Sequence, residues 1–368
     1  MSKTIVMVIS SLDAGGAERV LSVLGNYFFN KKYDVKILTY DSPGGRIFYF
    51  INEEIEIVPL SLKNRSGNLF SAIVNNIRRI FVLRRAIIKE RPDVVMSYMV
   101  DTSIITLIAM LFRKTPVIVS EHSDPEGLHV KKVWQYLRVK IYNLASLVVV
   151  LNRTTQQWFE ERVKSKVVVI PNPIVALPIE NIDSNINTIK TIIAVGRLVS
   201  TKAYDVLLPA FALAHKSHPG WRLKIFGDGP EKETLLQLRN DLGVSAHVEF
   251  CGVVADIYSE YRKAEFFVMS SKTEAFPMAL CEAMSSQLCV ITTRFHQSIS
   301  DLVIDGTNGL LADVEDVEGL AETMKRAMDS EKLRHSLGCA ARESMKEYSV
   351  ENVVNKWEEQ FRALQIIE

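Results

Sequence analysis

Short runs of apolar, mostly β-branched residues recur along the chain, and the stretches between them are long enough for helices. KTIVMVIS, DVKILTY, IEIVPL, DVVMSY, TPVIVS, SLVVVL and KVVVIP read as seven strands in the first half. TIIAVG, WRLKIFG, HVEFCG, EFFVMS, LCVITT and GLLA read as a second series of six. Near-continuous apolar strands separated by helices imply parallel sheets covered on both faces, the α/β doubly wound class. The pattern breaks at Pro171-Asn172-Pro173 and the polar stretch that follows. This predicts an N-terminal domain over 1–172, a linker over 173–188 and a C-terminal domain over 189–349. A last helix from about Val350 to Leu364 carries Val353, Val354, Trp357 and Phe361 on one side, and is expected to pack back on the first domain. Two such domains are expected to face across a cleft at the carboxyl ends of their strands, where open parallel sheets bind ligands.

A length of 368 residues agrees with two cores rather than one. The net charge of +1 conceals an asymmetry: residues 1–172 hold 24 Lys and Arg against 15 Asp and Glu, and the remainder holds 20 against 28. A basic half suggests an anionic partner such as a membrane surface or a phosphorylated acceptor. No aromatic–basic interleaving supports nucleic acid. The four cysteines lack metal-type spacing and read as buried thiols of a reducing compartment. The longest apolar run, 104–112, is far short of the roughly 20 residues of a spanning helix. A cytoplasmic, non-integral protein is expected.

Five segments carry candidate chemistry. The loop with Gly15 and Gly16 follows the first strand and opens a helix, so its backbone can approach an anion closely. It is not a GxGxxG, which argues against a dinucleotide; a tight strand-to-helix turn is the plainer alternative. His122 follows the strand TPVIVS and is placed to donate to a sugar hydroxyl or phosphate, or is structural. Arg197 and Lys202 after TIIAVG suit a pyrophosphate, one as a fork of donors and one as a point charge. Gly227 opens the turn after the next strand. The fifth segment runs from Ser271 to Met284. Glu274 lies at a helix mouth, Pro277 marks the first turn, and Glu282 stands about a turn inside. Backbone N–H groups at Phe276, Pro277 and Met278 are expected to meet a phosphate. Two ordinary glutamates on an amphipathic helix would have the same spacing.

Taken together, the E-x7-E pair Glu274/Glu282, the Gly196-Arg197…Lys202 set, FGDGPE, IPNP and GGAER resemble glycosyltransferase family 4 over nearly the whole chain. The resemblance implies a GT-B fold, retention of anomeric configuration and no required metal or cofactor. It implies that Arg197 and Lys202 grip the donor diphosphate and that Glu282 holds the ribose. Glu274 would stand by the transferred sugar, and Val253 near the base. His122 and the Gly15-Gly16 loop would lie on the acceptor side. The chain departs from the family where Ala203 follows Lys202 in place of Gly, where Ala275 follows Glu274 in place of Gly, and where Gln287 stands before the next strand in place of Gly. Ser298-Ile299-Ser300-Asp301 replaces a further family segment. No two aspartates stand two residues apart, so no DxD clamp exists and cationic side chains must neutralise the leaving diphosphate. Front-face transfer follows, a donor phosphate oxygen taking the acceptor proton. A UDP-sugar carrying a hexose or N-acetylhexosamine is expected as donor. A sugar-nucleotide 2-epimerase and a non-catalytic UDP-sugar-binding protein are the rival readings.

The acceptor expectation rests on a helix from about Asn68 to Glu90. Arg78, Arg85 and Lys89 fall within about 40° on it, with Arg79 and Arg84 flanking and Leu69, Ile73, Ile77, Ile80, Ile87 and Ile88 as apolar surface. Lys131, Lys132, Arg138 and Lys140 form a second basic stretch. Such a stripe suits an interfacial helix on anionic lipid or the diphosphate of an acceptor, and equally a solvated face over a core. Family members that extend sugars on polyprenyl diphosphate look similar. The acceptor is therefore expected to be a polyprenyl-diphosphate-linked saccharide at the cytoplasmic face of the inner membrane, in bacterial glycan assembly.

Overall fold

The structure, a computed structural model, describes residues 2–63, 69–125, 132–175, 190–295 and 299–367. It divides into two compact units, Met1–Pro173 with Val350–Glu368, and Ile174–Ser349. Most of the expected linker, residues 176–188, lies outside the described residues.

The first unit is a seven-stranded parallel sheet. Its strands are β1 (Thr4–Ile9), β2 (Asp34–Thr39), β3 (Glu56–Pro59), β4 (Val94–Tyr98), β5 (Val117–Ser120), β6 (Leu147–Val150) and β7 (Val167–Val169), in the order β3-β2-β1-β4-β5-β6-β7. The helices between them are α1 (Gly16–Asn30), α2 (Leu69–Glu90), α3 (Val100–Ala109), α4 (Lys132–Ile141) and α5 (Arg153–Glu160). β1, β4, β5 and β6 are buried almost without interruption, as strands covered on both faces must be. The apolar run from residue 104 is α3, buried along most of its length. Among the described residues no helix is long and apolar enough to cross a membrane.

The second unit is a six-stranded parallel sheet of β8 (Lys190–Val195), β9 (Trp221–Phe226), β10 (Val248–Gly252), β11 (Phe266–Met269), β12 (Cys289–Thr293) and β13 (Leu310–Ala312), in the order β10-β9-β8-β11-β12-β13. Its helices are α6 (Tyr204–His215), α7 (Lys232–Asp241), α8 (Ile257–Tyr261), α9 (Met278–Ser285), α10 (Ile299–Leu302), α11 (Val317–Asp329) and α12 (Glu331–Ser344). One core joins α6 and α11 to the sheet through Leu207, Phe211, Leu320 and Met324.

The final helix, α13 (Val350–Ala363), belongs to the first unit. Val353, Val354, Trp357 and Phe361 are buried, and the Phe361 ring lies 5.5 Å from that of Phe28 in α1. Each such side chain removed from water contributes about 1.5–3 kcal/mol, enough to hold a chain that has already crossed into another unit.

In each sheet the strand order reverses once, between β1 and β4 in the first and between β8 and β11 in the second. The loops leaving those neighbouring strands diverge, and the carboxyl ends there are open to a ligand.

The cysteine expectation needs correction. Cys281 and Cys289 are buried, but Cys251 is half-buried and Cys339 exposed. Cys339 lies on the outer face of α12, where helix periodicity leaves it in solvent.

Candidate functional site

At the switch point of the second sheet, the loops after β8 and β11 bring Lys202 and Glu274 together. Lys202 Nζ donates to Glu274 Oε1, and the Ser271 hydroxyl donates to the same oxygen at 2.7 Å. The two loops are joined by backbone as well: the Lys272 N–H donates to Thr201 O at 2.8 Å, and Ser270 Oγ reaches the carbonyls of Lys202 and Ala203 at 2.9 Å. Arg197, in the same loop, is exposed. Lys202 therefore meets the site already neutralised by Glu274, while Arg197 projects into solvent.

The neighbouring loop after β9 is held against the first by glycine. Gly227 has φ of +145°, and a Cβ there would lie 1.9 Å from Gly196 O. A Cβ on Gly229 would lie 2.3 Å from Leu198 O. The Leu198 N–H donates to Asp228 O, and the Glu231 N–H to Leu198 O. The Tyr204 hydroxyl donates to Gly196 O from below at 3.2 Å, a contact the sequence did not announce. Val253, after β10, is about half exposed.

α9 carries the second glutamate. Glu282 is buried, with 3% exposure. Pro277 is the cap residue preceding α9 rather than its first helical residue. The expectation that Phe276, Pro277 and Met278 all present N–H groups to a phosphate is corrected on two counts. Proline has no N–H, and that of Met278 is spent on Phe276 O at 2.9 Å.

Two of the departures from the family pattern have a backbone meaning. Ala203 has φ of +50° and Gln287 +64°, both in the left-handed region where glycine is the easy residue. The chain holds a left-handed backbone there with side chains that strain it. Ala275 has no such conformation.

In the first unit, Gly15 caps α1 in an extended conformation, and a Cβ on it would lie 2.1 Å from Glu18 Oε2. The carboxylate of Glu18 thus covers the helix N-terminus that was expected to receive an anion, as the helix dipole favours. His122 follows β5, with its Nε2 3.0 Å from Ser120 Oγ and its ring 5.6 Å from that of Tyr98. Burial pushes its pKa down to about 4, so at neutral pH it is an uncharged donor or acceptor and not a cation.

Behind His122 lies a buried polar cluster. The Glu121 carboxylate accepts from the Tyr142 hydroxyl at 2.8 Å and from Ser123 N and Oγ at 2.9 and 2.6 Å. Arg138 Nη1 stands 3.5 Å from Glu121 Oε2 and donates to Ser123 Oγ at 3.0 Å. The guanidinium lies over Trp158 and Phe159. Burial and the Glu121 charge hold the Tyr142 hydroxyl well above its ordinary pKa. Arg138 does not join the second basic stretch at the surface; it is wholly buried, drawn inward by Glu121. Lys131 lies outside the described residues, and of Lys132 only the backbone is described.

On α2, Arg78, Arg85 and Lys89 are exposed along one face. Arg79 and Arg84 are not part of it. Arg79 Nε donates to Leu62 O, and Arg84 Nη1 to Ala109 O and Leu111 O. Ile87 is buried in the core, whereas Ile73, Val74, Ile77 and Phe81 are exposed, Phe81 to 68%. The side chain of Leu69 is outside the described residues.

Among the described residues no group of three or more His, Cys, Asp or Glu side chains is arranged to hold a metal ion.

The family model for Glycosyltransferase Family 4 matches residues 14–176, and that for glycosyl transferases group 1 matches residues 180–344. The chain is a glycosyltransferase built of a family 4 domain followed by a group 1 domain. It is a glycosyltransferase of GT-B fold, each unit one Rossmann-like domain. It is 28% identical over 354 residues to a Campylobacter jejuni GalNAc-alpha-(1->4)-GalNAc-alpha-(1->3)-diNAcBac-PP-undecaprenol alpha-1,4-N-acetyl-D-galactosaminyltransferase, covering 96% of each chain. It is 27% identical over 367 residues to the amylovoran biosynthesis glycosyltransferase AmsD of Erwinia amylovora, covering 97% of this transferase and 99% of AmsD. The crystal structure of Anabaena Alr3699/HepE in complex with UDP and glucose shares the fold at a TM-score of 0.82 and 18% identity, over 97% of this chain and 99% of that one.

Proposed function

We propose that this glycosyltransferase moves a hexose or N-acetylhexosamine from a UDP-sugar to a polyprenyl-diphosphate-linked saccharide, with retention and without a metal. The observation that carries the donor half is the Lys202–Glu274–Ser271 cluster at the carboxyl ends of β8 and β11. A donor diphosphate takes Lys202 from Glu274 and gains Arg197, which is exposed and ready. Both cations then stand where charge develops on the leaving UDP, and electrostatic stabilisation of that charge is the main catalytic term. Glu274, released from Lys202, accepts hydrogen bonds from hydroxyls of the transferred sugar. Glu282 holds the ribose, Val253 lines the base, and Gly227 lets the diphosphate lie close to backbone. The side-chain cations do the work a metal would do. With no nucleophile assigned, a donor phosphate oxygen takes the acceptor proton as the new bond forms on the same face.

The acceptor half rests on α2, whose exposed face joins Arg78, Arg85 and Lys89 to Ile73, Ile77 and Phe81. Cations beside apolar side chains suit anionic headgroups at an interface. The Campylobacter relative is named for an undecaprenol-diphosphate-linked saccharide, in agreement with this reading. The protein is then peripheral on the cytoplasmic face of the inner membrane. Neutral His122, and the Gly15-Gly16 loop once Glu18 moves aside, receive acceptor hydroxyls.

A donor screen tests the donor half. Purified protein is incubated with UDP- and GDP-sugars in EDTA together with a short polyprenyl-diphosphate disaccharide, and nucleoside diphosphate release is followed. Release from one UDP-sugar that persists in EDTA is expected. Release that EDTA abolishes, or from GDP-sugars alone, contradicts the reading.

A further inference from the structure

The turn between α3 and β5 holds a phenylalanine almost entirely in water. Phe112 is 94% exposed, and its φ is +64°. A bulky side chain in the left-handed region is a genuine outlier, kept only where its surroundings over-determine it. The surroundings here do so. Arg84 of α2 reaches across and donates to the carbonyls of Ala109 and Leu111, on the approach to Phe112. The Leu111 N–H closes on Ile108 O at 3.2 Å and the Arg113 N–H on Met110 O at 3.0 Å, so the turn is tied on both sides of the exposed ring. Met110 is buried and anchors the turn to the core. Arg113 and Lys114, which follow, are exposed.

The position of this turn relative to α2 gives it meaning. Arg84 sits on α2 between Ile73 and Ile77 in angle, about 20° from each, so it continues the exposed apolar stripe toward the carboxyl end of the helix. Arg78, Arg85 and Lys89 form one margin of that stripe. Ile88 and Arg91, at the end of α2, line one hollow with Met110 and Arg113 of the turn. The apolar stripe of α2 therefore has cations along one side and meets the Phe112 turn, with Arg113 and Lys114, at its carboxyl end. Burying none of these apolar side chains costs solubility with no return in fold stability.

We propose that Phe112 is a second membrane anchor, inserting among the acyl chains of a bilayer that carries anionic headgroups while Arg113, Lys114, Arg85 and Lys89 meet those headgroups. The inference rests on the reading of α2 as a lipid-facing helix and adds an insertion point outside that helix. The charge decides the occupant. Arg78, Arg85, Lys89, Arg91, Arg113 and Lys114 are exposed, whereas the carboxylates that face Lys89 among the described residues are Glu90, 14% exposed, and Glu56, which is also paired to Lys36; the excess of cations complements an anionic surface, which an apolar protein partner would not require. Two contacts fix the orientation of the first unit on the bilayer, where one helix alone leaves it free to roll about its axis.

The test uses the full chain with vesicles of phosphatidylcholine, with and without phosphatidylglycerol. Sedimentation with phosphatidylglycerol vesicles is expected to weaken about tenfold in F112S, the loss of one buried aromatic side chain, with the far-ultraviolet circular dichroism unchanged. F112L is expected to restore most of the binding. In F112W the added indole is expected to shift its emission to the blue on vesicles, and to be quenched by brominated acyl chains. F112S binding like the wild type, or an indole unquenched by brominated lipid, overturns the proposal. If charge reversal of Arg78, Arg85 and Lys89 abolishes binding while F112S does not alter it, the α2 reading stands and Phe112 alone is wrong. If the wild type binds no phosphatidylglycerol vesicle, both fall. Self-association of the wild type that F112S removes, without vesicle binding, assigns the ring to a second copy and overturns it too.

Discussion

Glu274 and Lys202 neutralise one another, and if this is the donor site, as proposed, the pairing has a consequence that the two residues taken separately do not suggest. An incoming anion competes with the Glu274 carboxylate for Lys202. Glu274→Gln removes the competitor and a transferring contact together. UDP is expected to bind E274Q as tightly as the wild type or more tightly by calorimetry, while transfer falls about 100-fold or more. Weaker UDP binding in E274Q would mean that Glu274 assists the diphosphate rather than guarding Lys202. His122 offers a second test at the same scale. Its folded pKa, about 4, lies below the ordinary value near 6.5. Between those values the unfolded chain holds a proton that the folded chain does not. Stability from this group is therefore present above about pH 6.5 and lost as pH falls toward 4. His122→Asn is expected to flatten the fall in melting temperature over that window. An NMR titration placing the imidazole near 6.5 would contradict the burial argument.

At the scale of elements, the Glu121–Arg138–Tyr142 cluster ties α4 to the loop that presents His122. Removing one partner strands a buried charge, so Arg138→Met is expected to destabilise the first unit by about 3–5 kcal/mol in denaturant unfolding. The double variant with Glu121→Leu is expected to recover part of that loss. The thirteen strands of the described residues were legible in the chain, the central ones such as β1, β4, β6 and β11 as unbroken apolar runs and the outer ones such as β3 and β10 as shorter apolar runs interrupted by polar residues. The return of α13 was legible for a similar reason, its apolar residues sharing one helix face. Pairings across the fold were not. Arg138 read as one more surface cation since nothing in its local spacing points to Glu121, 17 residues earlier. Arg79 and Arg84 likewise read as surface cations flanking the stripe on α2, since local spacing does not reveal their carbonyl partners. Glu274 and Glu282 were found by spacing, yet the Lys202 partner of Glu274 is 72 residues away and reaches it only through the strand order. The left-handed Ala203 and Gln287 mark where the family's glycines stand, a pattern that sequence could flag but only backbone geometry explains.

At the scale of the molecule, the charge asymmetry of the sequence acquires a location. The first unit carries the exposed cations of α2 and of the turn at Arg113 and Lys114, beside apolar side chains. The second carries the paired lysine and glutamate of the proposed donor site. On the proposed reading, electrostatic attraction to a bilayer would raise the local concentration of a lipid-linked acceptor without adding any contact to the sugar itself. Transfer is then expected to go to a saccharide on polyprenyl diphosphate. The most direct measurement is mass spectrometry of the products when the wild-type protein, its UDP-sugar donor and EDTA are supplied with equal amounts of one saccharide, free and on polyprenyl diphosphate. The account predicts added sugar on the lipid-linked form, with the free form left almost unchanged. Equal extension of both, or extension of the free saccharide alone, would contradict it.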